Sequence, residues 1–336
     1  MPESSAPNRF RSTPLRDLKL TIEGTPLEPT LKQFDAELVA RGIPIQPHYY
    51  LSTDWGVPFP SISIGIPFYL AHPDLIELHG QQVGHLEGSS GPAELLQYMR
   101  HEMGHVVNYA FHLYDEEDWV KLFGSMTQPY LEEYRPSPFS RRYVRHLPGW
   151  YAQKHPDEDW AETFAVWMTP GDAWRQDYKD WPKARAKLEY CDRTIASLKN
   201  RKPVVTARDY DEDASTLALT AEDFYRDSAP PDEPLPEGVA GALRSIFFEP
   251  GEAKAADVRP ASELINRLKN SIAADVFRWT GHFPERTHAL LRDMARRCDE
   301  LHQVIPKSRE MDATVNLTTL VTALAMNYVH NGSYFG

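Results

Sequence analysis

Two histidines four residues apart, His101 and His105, sit with Glu102 between them inside an otherwise apolar stretch. Pro92 and the preceding Ser89-Ser90 pair are start signals, and the pattern predicts a helix over Pro92–Leu113. Leu95, Leu96, Met99, Met103, Val106, Val107, Ala110 and Leu113 would cover most of its circumference. His101, His105, Asn108 and His112 fall in one narrow polar stripe. Side chains four apart on a helix have Cβ atoms about 5–6 Å apart. Two such imidazoles can both reach one zinc ion at about 2.0–2.1 Å. The intervening glutamate then lies beside the metal as a base for its water. His101 and His105 are therefore read as Zn2+ ligands and Glu102 as the catalytic base.

A zinc site needs a third protein ligand. The metzincin extension, with Gly three and His six residues after the second histidine, is absent, because Asn108 and Phe111 stand there. A second helix, expected over Asp157–Met168, supplies carboxylates. Glu158, Ala161, Glu162 and Ala165 share one stripe. Burying two carboxylates among small apolar residues is costly unless a cation or an N–H compensates them. Glu158 is read as the third ligand, and Asp159 is its rival. Glu162, one turn on, would accept a hydrogen bond from a ligand imidazole and fix its tautomer. Asp157 and Asp159 are otherwise expected as solvated acids of a helix first turn.

His-Glu-Met-Gly-His, followed by His-Pro-Asp-Glu-Asp-Trp-Ala-Glu-Thr-Phe-Ala, resembles the bacterial family of zinc-binding metallopeptidases. More distantly it is similar to gluzincins of the anthrax lethal factor and Pro-Pro endopeptidase type. The resemblance covers residues 95–170. It implies a zincin-like fold, zinc-dependent peptide hydrolysis, a ligand at Glu158 and a supporting carboxylate at Glu162. It also implies that Tyr151, seven residues before the ligand glutamate, polarises the substrate carbonyl. An ordinary half-buried tyrosine is the alternative there, with Tyr143 in reserve.

Arg141, Arg142 and Arg145 form a basic cluster before Tyr151, either a solvated surface or a seat for an acidic group of the substrate. His72, His85, His112, His146 and His155 are not read as ligands. The run Ser61–Phe68 alternates like a strand and could take up an extended peptide by edge addition.

The chain has 336 residues and a formal net charge of −12, which argues against nucleic-acid binding. Two distant cysteines, no signal-like start and no run of 18 apolar residues point to a cytoplasmic protein without membrane association. The expected organisation is an extended leader over 1–30, a catalytic domain over 31–200, an acidic Pro-rich linker or loop over 201–250 and a helical region over 251–336. The fold class is α+β, with a zincin-like domain, a small twisted sheet and a helical C-terminal region. The expected function is a zinc peptidase acting on a peptide or protein substrate. The alternatives are a zinc-dependent hydrolase of a non-peptide amide and an inactive, zinc-stabilised binding protein.

Overall fold

The computed structural model describes residues 10–82, 87–89, 91–131, 134, 136, 137, 139–227, 238–252 and 257–334. It is an α+β structure in two compact units, Met1–Gln82 with Leu86–Ser228, and Val83–His85 with Ala229–Gly336.

The first unit opens with α1 (Leu27–Arg41), β1 (His48–Ser52), β2 (Ser63–Pro67) and α2 (Pro73–Gln82). The helix α3 (Pro92–Phe111) follows, then α4 (Glu117–Phe123), α5 (Pro156–Met168), α6 (Pro182–Leu198) and α7 (Ala221–Asp227). Pro92 occupies the first turn of α3, where a missing N–H costs nothing, and His112 ends it in the left-handed conformation at φ 52°. From Leu95 to Phe111 nearly every side chain is buried, including His101, His105 and Asn108 of the predicted polar stripe.

α3 and α5 pack backbone against backbone. A Cβ built on Gly104 would lie 2.7 Å from Ala161 Cα, so only glycine lets the helices come this close. Trp160 Nε1 donates to the Gly104 carbonyl at 2.7 Å and locks the crossing. On another side of α3, Arg100 donates twice to Glu37 of α1, at 3.0 Å each.

β1 and β2 form a parallel two-stranded sheet with His48 opposite Ser63 and Ser52 opposite Pro67. All five β2 residues are buried, and Gly65 N donates to the Gly56 carbonyl at 2.8 Å in an antiparallel bridge. The expected open edge is thus covered by the Trp55–Val57 stretch. A strand buried on both faces can show the same short β-branched pattern as an edge strand.

Of the two readings of 201–250, linker or loop, residues 204–219 fit the loop. Residues 204–219 are hydrogen-bonded into the first unit. Val204 N donates to the Ala110 carbonyl at 2.7 Å, Ile62 N to Ala207 O at 2.9 Å, Ala214 N to Leu51 O at 2.9 Å and Leu15 N to Leu219 O at 2.9 Å. An acidic, proline-rich segment lacks a ladder of its own, and its backbone groups here pair with other elements instead. The division between units falls at 228–229, and residues 228–237 lie outside the described ones. The expected leader is likewise packed from Leu15 onward, with Leu15 and Leu18 buried.

The second unit holds α8 (Gly238–Ile246), β3 (Val258–Pro260), α9 (Ala261–Thr280), α10 (Pro284–Glu300), β4 (Val304–Pro306) and α11 (Glu310–Asn331). Leu243, Ile265, Val276, Leu291, Met294, Leu317 and Val321 make its core. β3 and β4 pair antiparallel. α10 ends at Glu300, and the β-branched Val304-Ile305 ahead of Pro306 forms β4 instead. No described helix is long and apolar enough to cross a membrane.

Candidate metal centre

Among the described residues, His101, His105 and Glu158 are buried together with their potential ligand atoms all within 4.8 Å of one another. α3 supplies the two histidines and α5 the glutamate, so the Gly104–Ala161 contact sets their separation. His101 Nε2 lies 3.2 Å from His105 Nε2, and Glu158 Oε2 lies 3.0 Å and 3.4 Å from the two nitrogens.

The outer ring nitrogens fix the tautomers. His101 Nδ1 is 3.0 Å from Glu162 Oε1. Glu162 also accepts from His146 N and Leu147 N at 3.1 and 3.0 Å, so it acts as an acceptor and His101 Nδ1 as the donor. His105 Nδ1 is 3.0 Å from Asp157 Oδ2, and Asp157 also accepts from Asn108 Nδ2 at 2.7 Å and from the Tyr109 hydroxyl. With the imidazoles neutral, both Nε2 atoms would then present bare lone pairs toward a carboxylate oxygen. Three acceptors facing one another need a cation between them, and this donor set of two imidazoles and a carboxylate fits zinc.

Without a metal, protons take that role. Burial alone would depress His101, but hydrogen bonds to Glu158 and Glu162 outweigh it and hold the imidazole up to about 9. His105 is raised against its burial by Asp157 and Glu158. Glu158 is held well below the usual carboxylate range, the two histidines outweighing its burial. Glu102 has no place among the ligands and lines the cleft. Burial pushes it up to about 7 against the pull of His101 and His105.

The cleft measures about 640 Å³. Trp55 and Phe59 line it on one stretch of chain, Tyr114 and Asp115 on another, and Tyr130 and Tyr151 stand beside His101 and Glu158. Gly149 and Trp150 both adopt the left-handed conformation, at φ 81° and 61°. The turn delivers Tyr151 to His101, with ring centroids 5.5 Å apart.

Residues 93–181 match the model of a family described as putative zinc-binding metallo-peptidase. The matched stretch starts inside α3 and ends at the residue before α6, so it contains most of α3, all of α5 and the loop carrying Tyr130 and Tyr151. It covers about a quarter of the chain. The metallo-peptidase match supports a peptidase function for this region. No curated protein and no solved structure matches the chain.

Two sequence expectations about this matched stretch are corrected. Asp157 and Asp159 are buried, not solvated. Asp157 orients His105, whereas Asp159 faces away from the histidines and accepts from the buried ammonium of Lys187. Burial pushes Asp159 up to about 7 despite that cation. Asp159 is therefore placed as the anchor of α5 on α6 rather than as a ligand.

The arginines do not line the cleft. Arg141 and Arg142 are exposed, and the Arg145 guanidinium stacks between Trp150 and Trp181, 4.0 and 4.7 Å from their ring centres. Tyr143 packs over Lys187 at 4.4 Å. His155 caps α5, accepting from Asp157 N and contacting the Gln128 carbonyl through Nε2 at 3.0 Å.

Sequence reasoning missed Asp157 and Tyr130. A signal for the first existed: Asn108 sits on a helix buried all round, and a buried amide demands a partner. For Tyr130, in a loop far upstream of Glu158, no periodicity gave notice.

Proposed function

We propose that this chain is a zinc-dependent peptidase whose metal is held by His101, His105 and Glu158 and whose general base is Glu102. The observation that carries the reading is the convergence of three potential ligand atoms, all within 4.8 Å of one another, on a cleft of about 640 Å³, within the range of ligand sites. The family description of residues 93–181 supports it. When bound, zinc supplies Lewis acidity that lowers the pKa of a water and polarises a carbonyl.

The chain's own groups do the rest. Glu162 and Asp157 hold His101 and His105 with their Nε2 lone pairs inward. The Glu102 carboxylate takes a proton from the attacking water and delivers it to the amine nitrogen as the C–N bond breaks. The Tyr151 hydroxyl donates to the carbonyl oxygen as negative charge develops there. A purely structural zinc site has no use for a carboxylate buried at the cleft beside its ligands, where burial is costly.

The test is cleavage of a peptide library by zinc-loaded parent and Glu102→Gln proteins. The variant keeps its zinc and loses roughly 10²–10⁴-fold in rate. Tyr151→Phe loses on the order of 10²-fold. Equal rates for parent and Glu102→Gln would remove Glu102 from the mechanism. Cleavage of simple amides without cleavage of any peptide would assign the site to non-peptide substrates.

A further inference from the structure

We propose that Tyr130 is a positioning residue that confines Glu158 to binding the metal through one oxygen, an inference that rests on the metal-centre reading above. The two carboxylate oxygens of Glu158 have different surroundings. Oε2 faces the two imidazole Nε2 atoms at 3.0 and 3.4 Å, while Oε1 accepts a hydrogen bond from the Tyr130 hydroxyl at 2.5 Å. A carboxylate can hold a dication with one oxygen or with both. A phenol donating to Oε1 engages that oxygen and turns it away from the histidines. Oε2 then completes a three-atom ligand set with the fourth tetrahedral position left for water or substrate. Two-oxygen binding would crowd that position.

The surroundings of Tyr130 suit a fixed donor. The Lys154 ammonium lies 4.4 Å from its ring centre. Two residues before it, the Gln128 carbonyl contacts His155 Nε2 at 3.0 Å, and His155 also caps the helix that carries Glu158. The loop and the ligand thus share one anchor. Tyr151 has its hydroxyl 3.3 Å from that of Tyr130, with no bond to Glu158. The two phenols divide the work, Tyr130 serving the ligand and Tyr151 the substrate.

Tyr130→Phe keeps the ring and its contact with Lys154 and removes only the donor. The experiment compares parent, Tyr130→Phe and Tyr151→Phe as purified full-length chains. Zinc dissociation constants come from competition with a chelator, coordination from the visible spectrum of the Co2+-loaded proteins, and folding from metal-free melting curves. Tyr130→Phe melts like the parent without metal and binds zinc about 10–100-fold more weakly, the usual effect of losing a group that orients a ligand. Its Co2+ bands weaken, as a higher coordination number requires. Tyr151→Phe keeps the parent's zinc constant and Co2+ spectrum. Parental zinc affinity and spectrum in Tyr130→Phe overturn the assignment, as do equal changes in both variants. A parent protein that takes up neither metal overturns the metal-centre reading itself, and this assignment with it.

Discussion

Gly104→Ala puts one methyl group into the contact that spaces the metal ligands. In isolation Ala stabilises a helix by about 1 kcal/mol relative to Gly. Here the new Cβ would meet Ala161 Cα at 2.7 Å, Ala161 O at 3.1 Å and Ala161 Cβ at 3.2 Å. Carbon atoms rest at about 3.5–4.0 Å, so α3 and α5 must part by roughly 1 Å. The opposing atoms are backbone and cannot rotate aside, which places the cost near the top of the overpacking range, about 3 kcal/mol. The net loss is about 2 kcal/mol, or roughly 4–8 °C in melting temperature for a unit of this size. The same displacement separates His101 and His105 from Glu158, against a tolerance of about 0.2 Å in ligand distances, so metal affinity falls as well. Melting curves of metal-free protein and chelator competition read the two effects separately. Adding Ala161→Gly removes the Cβ contact but leaves Cα and O, so recovery is partial. A Gly104→Ala protein that melts at or above the parent, with unchanged metal affinity, would refute the close crossing.

Further outcomes follow from the same geometry. Asp157→Ala removes the acceptor of His105 Nδ1, and zinc affinity measured by chelator competition drops about 10–100-fold. Lys187→Met leaves Asp159 buried beside an apolar chain. Its melting temperature falls by an amount corresponding to about 3–5 kcal/mol, while metal content stays at the parent's level. Metal uptake also depends on pH. His101 in the metal-free protein stays protonated up to about 9, and a protonated imidazole cannot ligate. Affinity therefore rises with pH through neutrality until about 9, and at least about one proton is released per metal bound near pH 7. Calorimetry in two buffers of different ionisation enthalpy counts the protons.

The four-residue spacing of His101 and His105 made the face of α3 legible, because helical periodicity is a local property. So was the stripe of Glu158, Ala161, Glu162 and Ala165 on α5. Small residues among acids meant a helix pressed against another, and Gly104 meets Ala161 there. What was not legible depends on partners distant in sequence. Asp157 reads as an ordinary first-turn acid until Asn108 and Tyr109 are seen against it. Arg145 reads as a surface charge and is exposed, but nothing local told that Trp150 and Trp181 would flank its guanidinium. The stretch after Arg201 reads as a linker or a loop by composition, and nothing local told that its backbone bonds would go to Ala110, Leu51, Ile62 and Leu15. Composition reports what side chains prefer, not where backbone groups find partners.

The most direct measurement is the metal content of purified parent, His101→Ala, Glu158→Ala and Asp159→Ala proteins by elemental analysis. The account predicts about one zinc per chain in the parent, as one three-ligand site requires. It predicts loss of most of that zinc in His101→Ala and Glu158→Ala and retention in folded Asp159→Ala, since Asp159 faces Lys187. Full zinc in Glu158→Ala together with its loss in folded Asp159→Ala would contradict the metal centre described here.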